Sequence, residues 1–343
     1  MGSSSKITPQ TILVYVGHDL VGDGLMKLPF VRVLKANWPQ AKITWCAGKG
    51  LSVYASSLCP LVAGLIDETL ENAFVRSRLG NIFTRPLGGR SFDLVLDTGR
   101  RFLTSLAVRR VRHQRLVSGA AGFLLSDGRP AARTKPRAML GQMLQLIEAA
   151  GGDPALATPP LLLSAEATQA AALLLPPGPT YIGLAPGAGN RAKCWPFENY
   201  CAVAQTLGDA VPVFILGLDE KDWIAAASTV PKARLPLQDA AAQGIAASPI
   251  LTIALAQRLT ASLANDSGGG HMLAAGDQPL VSLFGPTDPT KVAARPWRGG
   301  FAPGARHFTV LRAQDFGTDE MAAIPVAAVV AALQSSMSSA GPR

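Results

Sequence analysis

Residues 260–285 read TASLANDSGGGHMLAAGDQPLVSLFG. A short apolar run (260–265) meets Asp266, Ser267 and three glycines, a helical segment follows over 270–276, and a second apolar run occupies 280–285. Runs of this length bounded by Gly, Pro and Asp are strands. A helix between two adjacent strands makes them parallel, because the chain must return to the starting edge before the second strand begins.

The same alternation extends in both directions. In the first half, TILVYV (11–16), KITWC (42–46), GLIDE (64–68), FDLVLDT (92–98) and RLVSG (115–119) are predicted strands, with helical stretches such as Gly24–Asn37 between several of them. In the second half, TYIGLAP (180–186), helix 196–207, VPVFILG (211–217) and helix 219–228 precede the opening stretch, and a last helix is expected near 319–333, packing back on the junction. The fold class is therefore α/β, with two doubly wound Rossmann-like units in tandem. A Gly/Pro loop at 151–160 and the break PPGP at 176–179 place the junction, with domains at 1–170 and 171–343. Two such units are expected to face a central cleft, and ligands of open α/β sheets sit beyond the carboxyl ends of the strands.

Composition agrees with this. Of 343 residues 48% are hydrophobic and 16% charged, rich enough in apolar side chains for two cores and far from the profile of disorder. No apolar run approaches the ~20 residues that cross a bilayer, and the N-terminus has no apolar signal segment. A cytoplasmic protein is expected. Cys46, Cys59, Cys194 and Cys201 include no C-x-x-C pair and read as buried free thiols. The net charge of +9 is uneven: residues 1–170 carry 20 Lys and Arg against 11 Asp and Glu, residues 171–343 carry 12 against 12. Arg100, Arg101, Arg109, Arg110, Arg112, Arg115, Arg129, Arg133, Lys135 and Arg137 supply the excess. Such a face attracts polyanions, whether nucleic acid, an anionic membrane surface or a phosphorylated substrate, with an ordinary solvated basic face as the alternative. Without interleaved aromatics, single-stranded nucleic acid is not an expected partner.

The chemistry is sought on the loops that follow strands. Asp23, in Gly22-Asp23-Gly24, reads as a helix cap or as a carboxylate placed to take a proton from a hydroxyl, with His18 a competing base on the same loop and Asp19 beside it. The glycines do not complete a dinucleotide fingerprint, because Lys27 holds its last position. In the second half, Pro186, Gly187 and Gly189 leave backbone amides open to an anion, Lys193 adds a point charge, and Trp195 reads as a packing residue. Two readings compete for Ser267. Asp-Ser-Gly-Gly also surrounds the reactive serine of trypsin-like proteases, but that chemistry needs a double β-barrel with a His and an Asp placed by it, and the α/β alternation argues against one. The other reading makes the amides of residues 267–270 a phosphate cradle at a helix start, with a plain helix cap as the bland alternative.

Taken together, VGHDLVGDGLMKLPF (16–30), LAPGAGNRAKCWPFENY (184–200) and ANDSGGGHMLAAGDQPLVSLFGPTDP (264–289) resemble the family 9 glycosyltransferases, the bacterial lipopolysaccharide heptosyltransferases. The resemblance implies a GT-B fold with an N-terminal acceptor domain and a C-terminal nucleotide-sugar domain. It implies inverting transfer that needs neither metal nor cofactor, from a nucleotide diphosphate sugar, typically ADP-L-glycero-D-manno-heptose, to a lipopolysaccharide core acceptor, at the cytoplasmic face of the inner membrane. By motif it makes Asp23 the catalytic base. Lys193, Asp266, Ser267, Gly268, Gly269, His271, Pro186 and Gly187 fall on the donor side, with Glu220 at the nucleoside ribose. Gly22, His18, Arg100 and Arg101 fall on the acceptor side. A nucleotide-sugar epimerase of the same fold, or a non-catalytic module with a basic docking face, are the alternatives.

Overall fold

The computed structural model describes residues 8–17, 20–73, 85–132, 134–158, 161–292 and 308–338. His18, Asp19 and Arg133 lie outside them. The chain divides into two compact units, Met1–Pro159 and Pro160–Arg343.

In the first unit, β1 (Thr11–Val16), β2 (Lys42–Ala47), β3 (Glu68–Leu70), β4 (Ser91–Asp97) and β5 (Arg112–Ser118) form one parallel sheet in the order β3-β2-β1-β4-β5. Its helices are α1 (Val21–Asn37), α2 (Cys59–Val62), α3 (Phe102–Val108) and α4 (Met139–Ala150). Central strands buried on both faces read as continuous apolar runs, and Ile12, Leu13, Val14, Leu94, Val95 and Leu96 are all fully buried. The expected third strand is displaced. Gly64 is left-handed and keeps 64–67 in a turn, so pairing with β2 begins only at Glu68. Helix α1 begins at Val21, with the Gly24 amide bonded to the Leu20 carbonyl at 2.8 Å. Asp23 thus lies inside the first turn rather than at the cap, where its charge favours the helix dipole without closing the helix end.

In the second unit, β6 (Tyr181–Ala185), β7 (Val211–Phe214), β8 (Ala261–Asn265), β9 (Leu280–Phe284) and β10 (Phe308–Arg312) form a second parallel sheet, in the order β10-β9-β8-β6-β7. Around it lie α5 (Ala165–Leu174), α6 (Phe197–Gln205), α7 (Ile224–Ser228), α8 (Pro236–Ala242), α9 (Pro249–Ala256), α10 (Gly268–Ala275), α11 (Pro289–Val292) and α12 (Val326–Ser338). The Ala-rich helix α5 packs on α9, and α12 covers β8, β9 and β10, with Val329 and Leu333 buried in the second unit's own core. The expected helix 219–228 is split: a 3-10 turn, Leu218–Trp223, precedes α7.

The strand orders matter most for function. The order reverses between β1 and β4 in the first sheet and between β6 and β8 in the second. Loops leaving the carboxyl ends of strands at such a reversal diverge to opposite faces and open a crevice, where α/β proteins bind ligands.

Candidate active site

In the second unit, the two loops flanking the reversal are the ones singled out from the sequence. The β6 loop carries Pro186, Gly187 and Lys193; the β8 loop carries Asp266, Ser267 and the glycines. Lys193 Nζ lies 3.4 Å from Asp266 Oδ2, with Asp266 mostly buried and Lys193 partly exposed. Such a pair contributes about 1 kcal/mol or less to stability, and its main effect is to fix where the ammonium stands.

What holds the two loops together is Asn265, the last residue of β8, which is completely buried. Its Oδ1 accepts from the Trp195 amide at 3.2 Å and from the Tyr200 hydroxyl at 3.0 Å, while its Nδ2 donates to the Pro186 carbonyl at 2.6 Å. One side chain therefore ties down both ends of the 186–195 loop. Trp195 is fully buried, as expected of a packing residue, and its indole N–H donates to the Ile324 carbonyl at 3.0 Å. Between those ends, Asn190 Oδ1 caps the 3-10 turn Arg191–Lys193 by accepting from the Ala192 amide.

Ser267 is the N-cap of α10, and its Oγ accepts from the Gly270 amide at 3.2 Å. This corrects the expected four-amide cradle: Ser267 itself engages the Gly270 amide. The amides of Gly268 and Gly269, at the first two helical positions, have no intrahelical acceptor by geometry and point out of the helix end. Together with the dipole they favour an anion. Glycine is required at 270, where a Cβ would come within 2.7 Å of the Asn265 carbonyl oxygen. His271 is buried one turn into α10. Glu220 Oε2 accepts from the Gly217 amide at 2.8 Å, and a Cβ at Gly187 would fall 2.2 Å from Glu220 Oε1, so Gly187 and Glu220 lie side by side. The Glu220 turn is fastened to the Lys193 turn by Arg191. Its Nη2 donates to the Asp219 carbonyl and to Asp222 Oδ1, both at 2.8 Å, and its guanidinium sits 4.0 Å from the Trp223 ring centroid.

In the first unit, Asp23 and Gly22 sit in the first turn of α1, half-exposed. Gly24 is tightly enclosed: a Cβ there would lie 2.6 Å from Val53 Cγ2, and its carbonyl accepts from the Tyr54 hydroxyl at 2.6 Å. These contacts hold the Asp23 turn against residues 53–58. Across the reversal, β4 ends in Asp97, which is wholly buried and accepts from the hydroxyls of Ser105 and Ser118 and from the Gly99 amide. Burial pushes the Asp97 carboxyl above its ordinary value, and the three hydrogen bonds oppose that rise. The Gly99 bond anchors the loop that presents Arg100 and Arg101, both exposed just before α3, with desolvation lowering the Arg100 guanidinium from its ordinary value.

Sequence reasoning passed over Asn265, Asp97 and Arg191. For the first two a signal existed: each is a polar residue closing an otherwise apolar strand next to the reversal. The thiol expectation holds only in part. Cys46 is buried, and its thiol is pushed up to about 12, chiefly by burial, whereas Cys59 is exposed and Cys194 and Cys201 are intermediate; all four are free. Among the described residues no group of three or more His, Cys, Asp or Glu could hold a metal ion, and no helix is long and apolar enough to cross a membrane.

Solved structures share this architecture. The glycosyl transferase family 9 protein of Veillonella parvula superposes with a TM-score of 0.67 at 18% identity, over 96% of this chain and 97% of that one. The Escherichia coli ADP-heptose lps heptosyltransferase II gives 0.64 at 21% identity, over 96% and 99%. The fold is that of the GT-B glycosyltransferases. The sequence model of glycosyltransferase family 9 (heptosyltransferase) matches residues 82–300, well over half of the chain, and the chain belongs to that family. Lipopolysaccharide heptosyltransferase 2 of Salmonella typhimurium is 26% identical over 314 residues, covering 81% of this chain and 83% of its own. The protein is an enzyme of the heptosyltransferase type.

Proposed function

We propose that the protein transfers heptose from ADP-heptose to a lipopolysaccharide core acceptor, with inversion and without a metal ion. The single observation that carries this reading is the meeting of Lys193 with Asp266 and the free amides of α10 at the reversal of the second sheet. A diphosphate with its negative charge matches that set: an ammonium held by Asp266 on one side, two helix-terminal N–H groups on the other. Glu220, half-exposed beside Gly187, is the acceptor for ribose hydroxyls.

In the reaction the acceptor hydroxyl oxygen attacks the anomeric carbon on the face opposite the nucleotide. Its proton passes to the Asp23 carboxylate, the bond from that carbon to the diphosphate oxygen breaks, and ADP departs with the bonding electrons. Negative charge grows on the leaving oxygens, where fixed donors are most effective. Lys193 Nζ and the Gly268 and Gly269 amides meet that charge without reorganising, and Asp266 keeps the ammonium in place.

The test is binding and turnover with defined nucleotides. ADP should raise the melting temperature where UDP, CMP and NAD do not, and ADP-heptose should be consumed only when an acceptor is present. Donor conversion in the absence of acceptor would replace this reading with an epimerase.

A further inference from the structure

In the second sheet β6 lies between β8 and β7, so the loop that leaves it runs between the loops of both neighbours. The 3-10 turn Arg191–Lys193 on that loop is held from each side by one of its own cations. Lys193 reaches Asp266 on the β8 loop. Arg191 reaches the β7 loop, where its Nη2 donates to the Asp219 carbonyl and to Asp222 Oδ1. In a helix of three residues per turn, side chains two apart diverge by about 120°, which lets one short turn address both sides.

The Arg191 contact is more than an ion pair. Its guanidinium lies 4.0 Å from the Trp223 ring centroid, and the same indole stacks on Phe197 at 5.0 Å with the planes 7° apart. Phe197 begins α6 and is buried in the second unit's core. A planar cation that lies against an indole while donating twice to oxygen has a geometry that lysine cannot copy.

The turn Leu218–Trp223 depends on such support. None of its residues is buried, and its inner bond, from the Gly217 amide to Glu220 Oε2, is local. Surface turns with little packing of their own open at small cost. Yet the Glu220 carboxylate lies so close to the β6 loop that Gly187 has no room for a Cβ beside it. ADP joins its ribose to its diphosphate through a single C5′–O5′ link, so both ends are recognised together only where the Glu220 turn and the Lys193 turn keep a fixed spacing. A spacing set in advance lowers the ordering cost of binding.

We propose that Arg191 is a positioning residue: it touches neither ribose nor phosphate, and it holds the Glu220 turn at the distance from Lys193 that one nucleoside diphosphate spans. This rests on the donor reading above and adds to it the residue that makes the two ends one site.

ADP and inorganic pyrophosphate are titrated calorimetrically into the full chain, and amide hydrogen exchange is followed without either. Arg191→Ala should weaken ADP about fivefold or more, the scale of one exposed ion pair together with one cation–ring contact. Pyrophosphate, which meets only the Lys193 side, should bind as in the parent protein. Exchange should quicken at 187–193 and 217–223 together in the nucleotide-free variant. Asp222→Ala separates positioning from bare charge. If Arg191 acted on the diphosphate only through its charge, removing this carboxylate would tighten ADP; positioning predicts weaker ADP, and a double variant no weaker than Arg191→Ala alone. Equal losses of ADP and pyrophosphate in Arg191→Ala, tighter ADP in Asp222→Ala, or unchanged exchange would each overturn the proposal. A parent protein that binds pyrophosphate but not ADP, with exchange still quickened in Arg191→Ala, would instead place the failure in the donor reading.

Discussion

Lys193 and Asp266 are 73 residues apart in sequence and 3.4 Å apart in space, joined across the strand reversal of the second sheet. Removing the ammonium leaves Asp266 facing the diphosphate alone, so Lys193→Ala should weaken ADP binding by roughly tenfold or more, the value of one charge-assisted hydrogen bond. Isothermal titration against ADP measures it. An unchanged dissociation constant would remove Lys193 from the donor site.

Asp23 belongs to the first unit, and the proposed reaction gives it the acceptor's proton rather than a contact with the nucleotide. Asp23→Ala should lower kcat by about a hundredfold or more, as loss of a general base does, while ADP binding stays as in the parent protein. Turnover near the parent rate would show that another group accepts the proton.

Asn265→Ala strips three hydrogen bonds from a buried site, leaves the Trp195 amide and the Pro186 carbonyl without their partner, and leaves the Tyr200 hydroxyl only the Ala185 carbonyl at 3.4 Å. At roughly 1–3 kcal/mol for each buried polar group left unsatisfied, unfolding in urea should shift by several kcal/mol. ADP affinity should fall too, since both ends of the Lys193 loop are released. A variant as stable as its parent would show that the loop holds itself.

Ser267 is a cap. Ser267→Ala should cost about 1 kcal/mol of stability and weaken donor use modestly, with transfer still measurable. Complete loss of transfer with normal folding and ADP binding would return Ser267 to the chemistry.

Asp97 predicts a pH dependence of stability. Its carboxyl is raised in the folded protein by burial, so the folded state binds a proton more tightly than the unfolded state does. The Asp97 contribution to stability is then fullest below the unfolded aspartate value, about 3.9, and is lost as pH rises through the raised native value. Asp97→Asn, which keeps an acceptor for the Gly99 amide and carries no charge, should flatten that decline. Parallel stability curves for the two proteins across this window would place the titration elsewhere.

Much of the fold was legible because strands buried on both faces leave a plain sign, a short apolar run closed by Gly, Pro or Asp. Where that sign was weak the reading fell short. Helix α9, PILTIALA, is buried all round and has no polar face to give a period, so it resembles a strand as much as a helix. Strand β10, FTVLR, lies at a sheet edge with its first four residues only half-buried, and its short run was not read as a strand. Glu220 was expected at the start of a helix and instead sits in a 3-10 turn, because its carboxylate closes back on the Gly217 amide.

The sequence by itself determined that two parallel α/β units follow one another, which loops leave their strands, and which side chains on those loops carry charge. These depend on local periodicity and turn residues, which act over a few positions. Only the tertiary structure decided the strand order, and with it which two loops flank each reversal. That order is set by packing among elements distant in sequence, which no short stretch encodes. It brings Lys193 to Asp266, makes Asn265 the tie between their loops, spends one of the glycine amides on the Ser267 cap, and sets Arg191 as the link between the Lys193 and Glu220 turns.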